Sequence, residues 1–162
     1  MWPLSNCVHD VAESADTLRR RRHGVIEVAG GRLQTIRFRP FAKRVSWWQS
    51  RLLGRWIHAR RPGDRCLLFY NQPWRQPVFL ALPYTISHRD TTLASIRRAL
   101  AVLDEIARLK GTLSIVCDVS NARISDRLLK RWGWEPHAPM RWHRNYIKRL
   151  DAHADRGMLN HA

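Results

Sequence analysis

A chain of 162 residues with 44% hydrophobic side chains is long and apolar enough to bury a core, which excludes a disordered polyelectrolyte. Its net charge is +16, and every basic residue except Lys43, Lys110, Lys130 and Lys148 is an arginine, the side chain suited to bidentate contacts with anions. Cys7, Cys66 and Cys117 are odd in number, far apart and in no C-x-x-C pair, which argues against a disulfide scaffold or a zinc site and for a reducing compartment. No run approaches the roughly 18 apolar residues of a membrane span. MWPLSNCVHDVAESAD lacks a basic region followed by an apolar one, so no secretory signal is expected and the expected location is cytoplasmic.

In chain order, Val8, Val11, Ala12, Ala15 and Leu18 recur at helical spacing, with acids early and Arg19 to Arg22 late, which predicts a helix stopped by Gly24. VIEVAGGRLQTIRF predicts a hairpin turning at Gly30-Gly31 and closed by Pro40. A second helix is expected from about Ser46 to Ala59, ended by Pro62-Gly63. CLLFY and PVFLALPYTI read as strands joined by NQPWRQ. Asp90 reads as the N-cap of a helix from Thr91 to Lys110, stopped by Gly111; its stripe of Leu93, Ile96, Leu100, Leu103 and Ala107, broadened by Ala99, Val102 and Ile106, faces a sheet.

TLSIVCDVSN then predicts a strand, ARISDRLLKRWGWEPH a short helix closed by Gly133, and WHRNYIKRL a last strand. Neither a repeat nor a long linker divides the chain. The expectation is an N-terminal helix and basic run over 1–24, one α/β domain over 25–150, and a polar tail over 151–162.

From about Leu67 to Leu150 this order, with the Gly133-Trp134 stop and a last strand carrying Tyr146 and Lys148, resembles the GNAT superfamily of acyl-CoA N-acyltransferases. The resemblance implies a mixed central sheet flanked by helices, with the family's fourth and fifth strands (here PVFLALP and TLSIVCDV) splayed apart. It implies transfer of an acyl group from acyl-CoA to an amine on a small molecule or a protein. By the same resemblance, the backbone from Leu82 to Tyr84 holds the pantetheine arm, and Ser87, His88, Arg89 and Thr91 supply side chains to the phosphates. Asn121 matches the family's asparagine after the fifth strand, a cofactor contact or the cap of the next helix.

Two departures accompany the match. The family seats the pyrophosphate on a glycine-rich loop at a helix start, where unpaired N–H groups and the dipole attract anions. No glycine lies between Gly63 and Gly111, and Asp90 puts a carboxylate there. The family's general-acid tyrosine corresponds to Leu129, which cannot donate a proton. No catalytic residue is identified. Glu27 and Asp118 are strand carboxylates that read as a base for the amine or as structural acids, and His137 and His143 lack metal-ligand spacing, so no metal is expected.

An alternative function follows from charge. Between Val28 and Gly63 nine Lys or Arg residues occur without an acid, interleaved with Phe41, Trp47, Trp48 and Trp56. Arginine beside aromatic rings suits phosphate neutralisation and base stacking, which makes Arg51, Arg55, Arg60 and Arg61 candidate contacts for RNA or another polyanion on a non-catalytic GNAT-like scaffold.

Overall fold

Gly30 and Gly31, at φ 56° and 72°, adopt the left-handed geometry of a two-residue hairpin loop, and they join β2 (His23–Ala29) to β3 (Arg32–Phe38) in antiparallel register. This is a computed structural model, and it describes residues 7–41, 63–87, 89–119, 125–137 and 144–150, the Tyr84 side chain excepted. The expected helix from Ser46 to Ala59 and the tail over 151–162 lie outside the described residues.

The hairpin is the start of an eight-stranded sheet that also contains β1 (Cys7–Val8), β4 (Arg65–Asn71), β5 (Phe79–Ser87), β6 (Ser114–Asp118), β7 (Glu135–Pro136) and β8 (Asn145–Arg149). Its order is β1-β3-β2-β4-β5-β6-β8-β7. Every neighbouring pair is antiparallel except β5 and β6, which run parallel. A parallel pair requires a crossover, and α2 (Leu93–Leu109) supplies it. Mixed α/β architecture and a parallel pair at the expected strands are the arrangement that the sequence resemblance implies.

The core lies between α2 and the sheet. Ala99, Val102, Leu103, Ile106 and Ala107 of α2 are fully buried with Ile26, Val28, Leu68 and Leu80 of the strands. Leu103 and Ala107 of the expected stripe, and the three residues expected to broaden it, are thus in the core, whereas Leu93 is 57% exposed and Ile96 and Leu100 are only partly buried against it. At the far end Lys110 Nζ donates to the carbonyls of Arg19 and Arg21 at 3.3 and 2.7 Å, fastening α2 to the segment between α1 (Ala15–Arg20) and β2.

The N-terminal helix is shorter than its periodicity predicts. Cys7 and Val8 pair with Arg37 and Ile36 as an edge strand, and helix begins only at Ala15. Tertiary pairing overrides local spacing here, because Val8 and Val11 bury against the sheet core whichever backbone they adopt.

Candidate functional site

The site is made by two strands parting. β5 pairs with β6 from Phe79 opposite Ser114 to Leu82 opposite Cys117, and there the ladder stops, although β5 continues to Ser87. Pro83 follows the last pair, and proline has no N–H to donate to a neighbouring strand. On the other side of β5, Tyr84 lies opposite Phe69 and Ala81 opposite Asn71, so β5 carries one more residue than β4 between these points. Such a bulge bends its strand and shifts the in–out alternation. Consequently Leu82, Pro83, Thr85 and Ser87 all line one cleft.

The cleft encloses about 130 Å³. Ile96 and Leu100 of α2 form one wall, and Leu129, Trp132 and Trp134, on or just after α3 (Asp126–Arg131), form another. Thr85, Ser87 and Asp118 supply the oxygen-bearing side chains. Asp118 is exposed at the end of β6. Cys66 and Cys117 also line the space, but burial pushes both thiols up to about 12. At neutral pH they remain protonated and are poor nucleophiles.

α3 is held in place from β8. The Tyr146 hydroxyl donates to Asp126 Oδ1 at 2.6 Å, and Arg144 bridges to the same carboxylate. These hydrogen bonds hold the Asp126 carboxyl below its usual range, the tyrosine contact contributing most. Ser125, accepting from the Leu128 N–H at 3.3 Å, is the N-cap of α3, which corrects the reading of Asn121 as its cap.

The start of α2 differs from expectation. Its N-cap is Thr92, whose hydroxyl oxygen accepts from the Ser95 N–H at 3.3 Å, and not Asp90, which is exposed in the preceding turn. The reason is a carboxylate from elsewhere in the chain. Asp64 Oδ1 accepts the Thr92 N–H at 2.8 Å and Oδ2 accepts its hydroxyl at 2.9 Å, which fixes Thr92 in the cap position. The Thr92 N–H is the main cause of a lowered Asp64 pKa. Ser95, fully buried, accepts the Gly31 N–H at 2.8 Å and ties the hairpin to the same helix end.

The candidate cofactor residues therefore divide. Leu82 and Ser87 line the cleft, and the Tyr84 backbone continues β5 beside it. The Thr91 hydroxyl donates to the Arg65 carbonyl at 2.7 Å, and Arg89 is exposed in the turn after β5. His88 and Asn121 lie outside the described residues, as do Arg51, Arg55, Arg60 and Arg61. Of the two strand carboxylates, Glu27 pairs with Arg37 at 3.0 Å and with Arg65 on the sheet, so its place is structural, while Asp118 is at the cleft.

The cleft is largely apolar and is bounded by the strand edge beyond Leu82. The helix start does not suit a pyrophosphate in the family's manner. Glycines are absent, and a carboxylate already holds the Thr92 N–H. Sequence reasoning missed Asp64 at the helix start and, among the residues lining the cleft, Cys66, Thr85, Cys117, Trp132 and Trp134. The Gly133-Trp134 stop was the signal for the two tryptophans.

Among the described residues, no group of three or more His, Cys, Asp or Glu side chains is placed to hold a metal, and no helix is long and apolar enough to cross a membrane. No family model and no curated protein matches the chain. Among solved structures, a nourseothricin acetyltransferase superposes with a TM-score of 0.43 at 11% sequence identity, over 90% of this chain and 98% of that one. A likeness that distant carries no site residue over to this chain.

Proposed function

We propose that this chain is an N-acyltransferase that takes an acyl thioester of a pantetheine arm, acyl-CoA being the simplest, and transfers the acyl group to an amine. The observation that carries the reading is the parting of β5 from β6 at Pro83, which leaves a largely apolar cleft beside an open strand edge. An extended chain of amides pairs with such an edge as an added strand would.

Transfer is direct. The thiols at the cleft, Cys66 and Cys117, are held protonated by burial, so neither forms an acyl-enzyme at neutral pH. The amine nitrogen bonds to the thioester carbonyl carbon, the C–S bond breaks, and the thiolate takes up a proton as the amine loses one. Asp118 is the carboxylate at the cleft that orients the amine and accepts its proton. Trp132, Trp134 and Leu129 exclude water and so protect the thioester from hydrolysis. Leu129 donates no proton, so the departing thiolate is protonated from solvent, while the amine's proton leaves through Asp118.

The test supplies an acyl-pantetheine and the matching acyl-CoA with a panel of polyamines, amino sugars and lysine peptides, and follows free thiol and N-acyl product. Thiol release dependent on both protein and amine is expected, and Asp118→Asn should lower it about a hundredfold, the usual scale for loss of a general base. If neither thioester is bound or consumed, the reading fails.

A further inference from the structure

The cleft and the helix beside it disagree about the acyl donor. On the acyltransferase reading the cleft takes a pantetheine arm, yet at the start of α2, where a nucleotide's phosphates would need positive potential, the Asp64 carboxylate holds Thr92 and exposed Asp90 lies in the preceding turn. Positive charge is instead carried by exposed side chains on the elements that supply the cleft's walls. Arg97 follows the wall residue Ile96 on α2, and Arg127, Lys130 and Arg131 lie on α3, the helix that carries the wall residue Leu129. Arg89 stands at the turn after β5. All five side chains are exposed, and none forms an ion pair with another described residue. The acid on α3, Asp126, is neutralised by Arg144.

From this juxtaposition we infer that the donor is an acidic carrier protein bearing the acyl group on a phosphopantetheine arm, the arm entering the cleft and the acidic face docking on the arginines of α2 and α3. This deepens the acyltransferase reading and rests on it. A compact pyrophosphate needs donors and positive potential converging on one point, and there Asp64 occupies the Thr92 N–H and hydroxyl and adds a negative charge. A protein face needs complementary charge dispersed over two helices, which is what α2 and α3 present, on a chain of net charge +16. The arm is the part that both donors share, so the cleft serves either one, and the surroundings decide between them.

The experiment compares three donors carrying one acyl group on the full chain by calorimetry: butyryl-pantetheine, butyryl-CoA, and an acidic carrier protein charged with butyryl-phosphopantetheine, with the unmodified apo-carrier as control. The carrier thioester should bind at least about tenfold more tightly than butyryl-CoA at low salt and lose that advantage as salt screens the contact. Butyryl-CoA and butyryl-pantetheine should differ by less than about threefold, since no charge-assisted phosphate contact separates them. Replacing Arg127, Lys130 and Arg131 with Ala should weaken the carrier thioester about tenfold and leave butyryl-pantetheine unchanged. Asp64→Asn, which keeps an acceptor for Thr92 while removing the charge, should strengthen butyryl-CoA alone.

Tighter binding of butyryl-CoA than of the carrier thioester, with butyryl-pantetheine far weaker, would overturn the inference and leave the acyltransferase reading intact. Equal binding of apo-carrier and charged carrier would also overturn it, because the cleft would then play no part. If none of the three thioesters binds, the acyltransferase reading itself fails and the inference falls with it.

Discussion

Asp64 holds Thr92 through two hydrogen bonds, one to its N–H and one from its hydroxyl, and so joins the residue before β4 to the cap of the longest described helix. Because the carboxylate form makes these bonds, its folded pKa lies below the ordinary value. The sign of the pH effect follows: the unfolded chain binds the proton first, so the stabilisation is present above the ordinary carboxylate pKa of 3.8 and is lost as pH falls through the lowered folded value. Asp64→Ala should therefore lower the melting temperature at neutral pH, and the gap to wild type should close in acid. A gap that stays constant between neutral pH and pH near 3 would show that the carboxylate charge contributes nothing.

Gly24 and Tyr70 face each other across β2 and β4. A Cβ added at Gly24 would lie 2.6 Å from the Tyr70 hydroxyl oxygen and 2.7 Å from Cε1, and Tyr70 is fully buried. Gly24→Ala should cost about 1–3 kcal/mol, the usual range for overpacking. Tyr70→Phe should not rescue it, since Cε1 remains. Alone, Tyr70→Phe should be neutral or stabilising, because the buried hydroxyl has no hydrogen-bond partner among the described residues. Denaturant midpoints of the two single variants and the double variant test all three statements.

The cysteines give an alkaline signature. Burial raises the Cys66 and Cys117 thiols from 9.0 to about 12. A group whose folded pKa is raised contributes stability that is complete below the unfolded value and is lost as pH rises through the folded one. Stability should thus fall between pH 9 and 12, and Cys66→Ala with Cys117→Ala should flatten that fall. In native protein near pH 8, exposed Cys7 should react with iodoacetamide at least about a hundredfold faster than buried Cys66, with partly buried Cys117 between them. Equal labelling of all three would show that the cleft opens to solvent.

The elements that carry strong local signals were legible in the sequence: the Gly30-Gly31 hairpin, the β5 run, α2 between Thr92 and Gly111, and the turn at Gly133, whose φ is 81°. Two-residue strands were not, because β1 and β7 are too short to show a period and exist only through their partners β3 and β8. The cleft was legible as a place but not as a lining. Its bulge depends on how β5 registers against β4, and that register is not a property of either segment alone. Asp90 looked like a cap because it precedes the helix; Asp64, far off in sequence, displaces it by fixing Thr92. A non-local hydrogen bond of this kind leaves no spacing to read.

α3 depends on a tether. Six residues are too few to hold helical structure alone, so α3 relies on its Ser125 cap, on the burial of Leu129 and on the bond from Tyr146 to Asp126. That bond crosses from β8 to the helix carrying a wall of the cleft. Tyr146→Phe keeps the buried ring and removes only the hydroxyl, leaving Arg144 with Asp126. It should cost about 1 kcal/mol of stability, the net value of one intramolecular hydrogen bond. If the acyltransferase reading holds, the same change should raise the KM for the thioester several-fold and leave kcat nearly unchanged, because Tyr146 positions the wall without touching the reacting atoms. A loss confined to kcat would instead make the hydroxyl a proton donor to the departing sulfur. Asp126→Asn separates the two roles: it keeps an acceptor for Tyr146, so a tether should survive it largely intact.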